Sequence, residues 1–124
     1  MHARLMGSTD STNAEYVHLL ADFAGVRESQ LGDAPLLTGL LIAAAGGAGL
    51  VAIGAPLVRQ RPDGGVAAVL VLERCHIAVH TIPSRGVLLL DILVCPPSDP
   101  RIVLDVFARR LPASAIRTEQ RARG

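Results

Sequence analysis

The stretch CHIAVHTIPSRGVLLLDILVC, residues 75–95, sets two apolar runs on either side of Pro83-Ser84-Arg85-Gly86. Proline presets one backbone angle and glycine accepts left-handed ones, so these four residues read as a turn. Residues 77–82 and 87–94 then become the two strands of a hairpin. Upstream, GVAAVLVLERCHIAVHTI, residues 65–82, is too long for one ordinary strand and breaks at the polar Glu73-Arg74-Cys75, where two strands meet. A turn-rich RQRPDGG, residues 59–65, and a short buried strand over residues 50–53 precede it.

Further out the periodicity changes. Asp33-Ala34-Pro35 puts a capping carboxylate before a first-turn proline, and Leu36, Leu37, Leu40, Leu41 and Ala44 recur at helical spacing. A helix over about residues 33–45 follows, broken by Gly46, Gly47 and Gly49. YVHLLADF, residues 16–23, has the β-branched and aromatic content of a strand. Downstream, Asp99 and Pro100 open a helix, RIVLDVFARRL, that Pro112 ends, with Ile102, Val103, Val106 and Phe107 forming one apolar stripe. A short strand over residues 115–118 and a charged tail, EQRARG, complete the order.

Strand, helix, strands, helix, strand describes an α+β chain: a two-layer α/β sandwich whose antiparallel sheet carries two helices on one face. The other sheet face is still apolar and needs a partner, so dimerisation is expected. The expected organisation is a flexible leader over residues 1–13, one domain over 14–118 and the tail over 119–124.

Composition removes several classes of function. The 124 residues include 12 basic side chains, all arginine, against 11 acidic ones, so no strongly electropositive face is available for nucleic acid. Tyr16, Phe23 and Phe107 are the only aromatic residues, too few for base stacking, and the core must be built from Leu, Val, Ile and Ala. Cys75 and Cys95 do not make a disulfide framework or a closed zinc site, which sets a reducing, cytoplasmic location as the expectation. The N-terminal residues lack the apolar core of a secretory signal. Residues 34–58 are uncharged and long enough to cross a bilayer, but their Ala and Gly content, Pro35, Pro56 and the Gly46-Gly47 pair favour a soluble helix and strand.

Reactive side chains concentrate at Cys75, His76, His80, Asp91 and Cys95. His76 and His80 share a strand face, and the hairpin returns Cys95 beside Cys75, so thiols and imidazole can converge at one sheet end. A metal site lacks the paired spacing, a Cys–His nucleophilic pair lacks an oxyanion-hole signature, and small core cysteines are the plain alternative.

Residues 75–95 resemble the central motif of the bacterial S-adenosylmethionine decarboxylase proenzymes. The similarity includes His76, His80, Thr81, Pro83, Gly86, Asp91 and Cys95 without a gap, and His18-Leu-Leu-Ala-Asp22-Phe23 is similar to that family's first strand. The resemblance covers nearly the whole chain from Ala14 onward. It implies a small α/β sandwich that dimerises with active sites at or near the interface. It also implies self-cleavage before residue 75, leaving a pyruvoyl group that serves as electron sink for loss of CO2. His80 matches the histidine that assists cleavage, and Cys95 the cysteine that reprotonates the product carbon.

Departures from the motif are specific. The family's processing serine is Cys75, and its preceding glutamate is Arg74, with Glu73 one place earlier. A second processing serine falls on Ala67, the aromatic residues of the preceding loop fall on Val58 and Arg61, and the motif tryptophan is Ile82. The expected function is therefore a self-processing, pyruvoyl-dependent decarboxylase of polyamine (spermidine) biosynthesis, cut between Arg74 and Cys75. Its substrate would be S-adenosylmethionine or a smaller amino acid. Cys75, His80 and Cys95 are the catalytic candidates, Glu73 and Arg61 the weaker substrate-binding ones, and no metal is expected. The expected assembly is a homodimer or a heterodimer with a paralogue, and the alternatives in function are a non-catalytic relative that pairs with or regulates an active decarboxylase and a redox or metal-sensing module built on Cys75 and Cys95. Plain roles are expected for His76 and His18 as sheet residues, for Asp91 as a partner of backbone or arginine, and for Arg74 and Arg85 as solvated turn charges.

Overall fold

The computed structural model describes residues 14–124, so the expected leader over residues 1–13 lies outside it. Six strands form one antiparallel sheet: β1 (Tyr16–Ala24), β2 (Leu57–Gln60), β3 (Val66–Val71), β4 (His76–Ile82), β5 (Val87–Val94) and β6 (Ala115–Arg123). Their order across the sheet is β2-β3-β4-β5-β1-β6. The helices are α1 (Glu28–Leu31), α2 (Ala34–Gly47) and α3 (Pro100–Arg110). The expected hairpin is present with Ile82 opposite Val87, joined by a 3-10 turn over Pro83–Arg85, and Gly86 takes the left-handed backbone (φ +67°) that closes it.

Both long helices begin as the sequence indicates. Asp33 accepts a hydrogen bond from the Leu36 amide at 3.0 Å, and Asp99 accepts one from the Arg101 amide at 2.9 Å. α2 and α3 pack on each other and on one face of the sheet, where Leu37, Leu41, Val103 and Phe107 meet Leu19, Phe23, Ile77, Val79, Leu88 and Ile92 with almost no exposure. Period-2 alternation in β3, β4 and β5 sends every second residue into this core. The buried Thr81 hydroxyl is fully used, donating to the Leu31 carbonyl at 2.7 Å and accepting from the Val66 amide at 2.8 Å.

Four sequence expectations need correction. Residues 50–53 are not a strand: Ala52 makes one isolated bridge to Leu72, while Val51 and Ile53 are exposed. The strand is instead Leu57–Gln60, which pairs with β3 around the turn at residues 61–64, so part of the turn-rich segment is a sheet edge. Gly46 and Gly47 do not stop α2, which runs through both before Ala48 caps it and Gly49 turns left-handed (φ +70°). The segment expected as short strand plus charged tail is one strand, β6, paired with β1 from Ala24↔Ala115 to Tyr16↔Arg123. Its arginines and glutamate alternate outward on an edge, a pattern that reads as tail when no pairing partner is known. Among the described residues, no helix is long and apolar enough to cross a membrane.

Candidate active site

β3 and β4 meet in the tight turn at Glu73-Arg74-Cys75, where the Leu72 amide donates to the Cys75 carbonyl at 2.8 Å. Cys75 precedes the first residue of β4 and Cys95 follows the last residue of β5, so the hairpin brings them to the same sheet end. Both thiols are free, half-buried and on the wall of one small cleft of about 130 Å³. Glu73 and Arg74 also line it, with residues 49–51 and Leu72 closing the apolar side. Burial pushes the Cys75 thiol above its ordinary pKa; nearby Cys95 adds to the rise and the Arg74 charge opposes it. The Arg74 guanidinium lies 6.0 Å from the centroid of the Tyr16 ring, and its pKa is raised by hydrogen bonding to Tyr16 and by Cys95.

The remaining candidates lie elsewhere. His80 is exposed on the sheet face that carries no helix, between Ala67 of β3 and Leu89 of β5. It does not line the cleft. Arg61 is held in the β2–β3 turn, its guanidinium donating to the Thr81 carbonyl and lying 3.5 Å from Asp63. Gly65 permits that packing, since a side-chain carbon there would come within 2.6 Å of the Thr81 carbonyl. Val58 lies in β2 and Ile82 ends β4.

A polar chain crosses the open face just beside the cleft. The Nε2 atoms of His18 and His76 stand 2.8 and 3.1 Å from the same Asp91 oxygen, and Arg123 donates to His18 Nδ1 at 3.1 Å. With Nδ1 accepting from arginine, neutral His18 carries its proton on Nε2 and donates it to Asp91. His18 is far less exposed than a surface strand residue, its side chain retaining 15% of its accessible area, and Asp91 serves two histidines rather than an arginine or backbone group. The β4–β5 half of this network was legible, because the turn fixes Asp91 diagonal to His76. The His18 and Arg123 half depends on β1 entering between β5 and β6, which no local pattern announces. Among the described residues, no group of three or more His, Cys, Asp and Glu side chains is arranged to hold a metal ion.

A sequence model of the S-adenosylmethionine decarboxylase family matches residues 17–124. The S-adenosylmethionine decarboxylase proenzyme of Brevibacillus brevis is 31% identical over 108 residues, covering 86% of this chain and 80% of that one. The proenzyme of Thermoplasma volcanium is 30% identical over 111 residues, 87% and 83% of the two chains. The crystal structure of the adenosylmethionine decarboxylase from Aquifex aeolicus superposes with a TM-score of 0.83 at 28% identity, covering 90% of this chain and 92% of that one. With the family pattern extending over β1 to β6 and the same architecture in a solved relative, this chain belongs to the S-adenosylmethionine decarboxylase family.

Proposed function

We propose that the chain is a self-cleaving precursor of a pyruvoyl-dependent decarboxylase in which Cys75 replaces the processing serine. The observation that carries this reading is the placement of Cys75 on the wall of a cleft, on a turn outside the sheet ladder, with Cys95 on the same wall. A turn carbonyl can be approached by the neighbouring sulfur without dismantling a strand. These residues fit a group formed at position 75, because the chain there faces the cleft that a small substrate would enter.

The cleavage follows from thiol chemistry. The Cys75 sulfur loses its proton and attacks the Arg74 carbonyl carbon; the Arg74–Cys75 amide breaks and a thioester forms. Removal of the Cys75 α-proton expels sulfur as an Arg74 thiocarboxylate and leaves dehydroalanine, which tautomerises and takes up water to release ammonia. Hydrolysis of the thiocarboxylate then releases sulfide. The pyruvoyl group left at position 75 would serve as the electron sink for loss of CO2. Cys95 Sγ supplies a proton to the product carbon, and Glu73 and Arg74 provide charged contacts for an amino-acid substrate. Arg61 is tied to Thr81 and does not line the cleft, so a smaller amino acid remains a substrate beside S-adenosylmethionine.

His80 bears on cleavage through a second copy of the chain. It lies five residues from Cys75 along β4, about 16 Å at the rise of a strand, and cannot reach the scissile bond within its own protomer. The open face that holds it also exposes Leu57, Val71 and Leu89. A second copy packed there would cover them and carry its His80 toward the first copy's cleft, completing a dimeric enzyme.

One observation favours the second reading, a non-catalytic relative. Ala67 lies directly opposite His80, so the hydroxyl that the family motif places beside this histidine is missing. The two readings separate in an assay of CO2 release from carboxyl-labelled S-adenosylmethionine and from a panel of amino acids. Release dependent on Cys75 and Cys95 supports the enzyme, whereas no release from cleaved protein points to the pairing role.

A further inference from the structure

Cys75 and Cys95 are two thiols in one cleft, and the cleavage chemistry employs the first before the second. In the β4–β5 ladder His76 stands opposite Leu93, so Cys75 and Cys95 are neighbours displaced by one position. A strand spacing near 4.8 Å and a rise near 3.3 Å put their Cα atoms about 6 Å apart, inside the window a disulfide requires. Regular strands would send such neighbours to opposite faces. Here both residues lie just beyond the strand ends, and both contribute to the same cleft wall. The effect of Cys95 on the ionisation of Cys75 agrees with their proximity.

We propose that Cys75 and Cys95 are a modification site for low-molecular-weight disulfides, which convert them to an internal disulfide that keeps the precursor uncut. One protein thiolate attacks a sulfur of the external disulfide, forming a mixed disulfide and releasing one small thiolate. The second protein thiol loses its proton and attacks the protein sulfur of that mixed bond, releasing the other small thiolate. Two protein sulfurs are oxidised and one external disulfide is reduced to two thiols. A Cys75 sulfur held in this bond has no thiolate to attack the Arg74 carbonyl. After cleavage Cys75 is consumed, so the bond acts on the precursor alone, and a serine at this position would be indifferent to oxidant. The effect on cleavage rests on the proposed function; the bond itself does not.

The test is cell-free synthesis of the full chain in reduced or oxidised glutathione, quenched with a maleimide and weighed intact without reductant. Oxidising buffer is expected to give an uncut monomer lighter by two hydrogens that takes up no maleimide. Added reductant should restore two labels or release cleavage, and Cys95→Ala should abolish the two-hydrogen loss. Two alkylatable thiols in oxidised glutathione, glutathione adducts alone, or cross-linked pairs of chains would overturn the proposal. An internal bond in a chain that never cuts after reduction would uphold the disulfide and overturn the cleavage reading.

Discussion

At the residue scale, the proposed cleavage turns on a sulfur, that of Cys75, where the resemblance places a serine oxygen. Burial and Cys95 hold the Cys75 thiol above its ordinary pKa, so the reactive thiolate is scarce at neutral pH. Raising pH increases it. The cleavage rate in reducing buffer should climb about tenfold per unit through the ordinary cysteine range and level off only above it. A stopped-time gel series over pH reads this, and a profile flat from neutral upward would exclude thiolate attack as the slow step. Asp91 is the other informative residue. Asp91→Ala leaves the Nε2 protons of His18 and His76 without their acceptor and should lower stability by about 1–3 kcal/mol, read from denaturant midpoints at fixed protein concentration.

At the element scale, the β2–β3 turn packs so closely against β4 that Gly65 admits no side chain without a shift. Gly65→Ala drives a carbon against the Thr81 carbonyl, a backbone atom with no room to yield, and should cost about 1–3 kcal/mol in thermal or denaturant unfolding. The same segment shows where sequence reading stops. The 83–86 turn and both helix caps are written in local chemistry, since proline, glycine and aspartate act on their immediate neighbours, and the β3–β4 break is written in the polarity of Glu73-Arg74-Cys75. Strand β2 has only the four residues Leu57–Gln60 and mostly exposed side chains, so it leaves no burial alternation to read. Val51 and Ile53 look like core residues yet face solvent, because apolar content cannot say which side of the sheet end a loop takes. β6 is assigned by its partner: Arg117, Glu119, Arg121 and Arg123 read as tail until β1 supplies the ladder. Of the site, the Cys75–Cys95 approach was legible through the hairpin, whereas the separation of His80 from the cleft needed the sheet's faces.

At the scale of the whole molecule, the sheet face without helices is where the proposed function joins assembly to catalysis. If the His80 of a second copy serves each Cys75, two defective chains can rescue one another. His80→Ala and Cys75→Ala proteins, each uncut alone, should yield cleaved His80→Ala chain when co-expressed, because mixed dimers pair an intact Cys75 with an intact His80. Rescue absent from verified mixed dimers would place the assisting group elsewhere. The measurement that bears most directly on the central claim is simpler: intact mass of freshly purified protein in reducing buffer, beside Cys75→Ala. Expected are two fragments divided between Arg74 and Cys75, the C-terminal one bearing a borohydride-reducible carbonyl, with Cys75→Ala uncut. A wild-type chain that stays whole after prolonged incubation would contradict self-processing at Cys75.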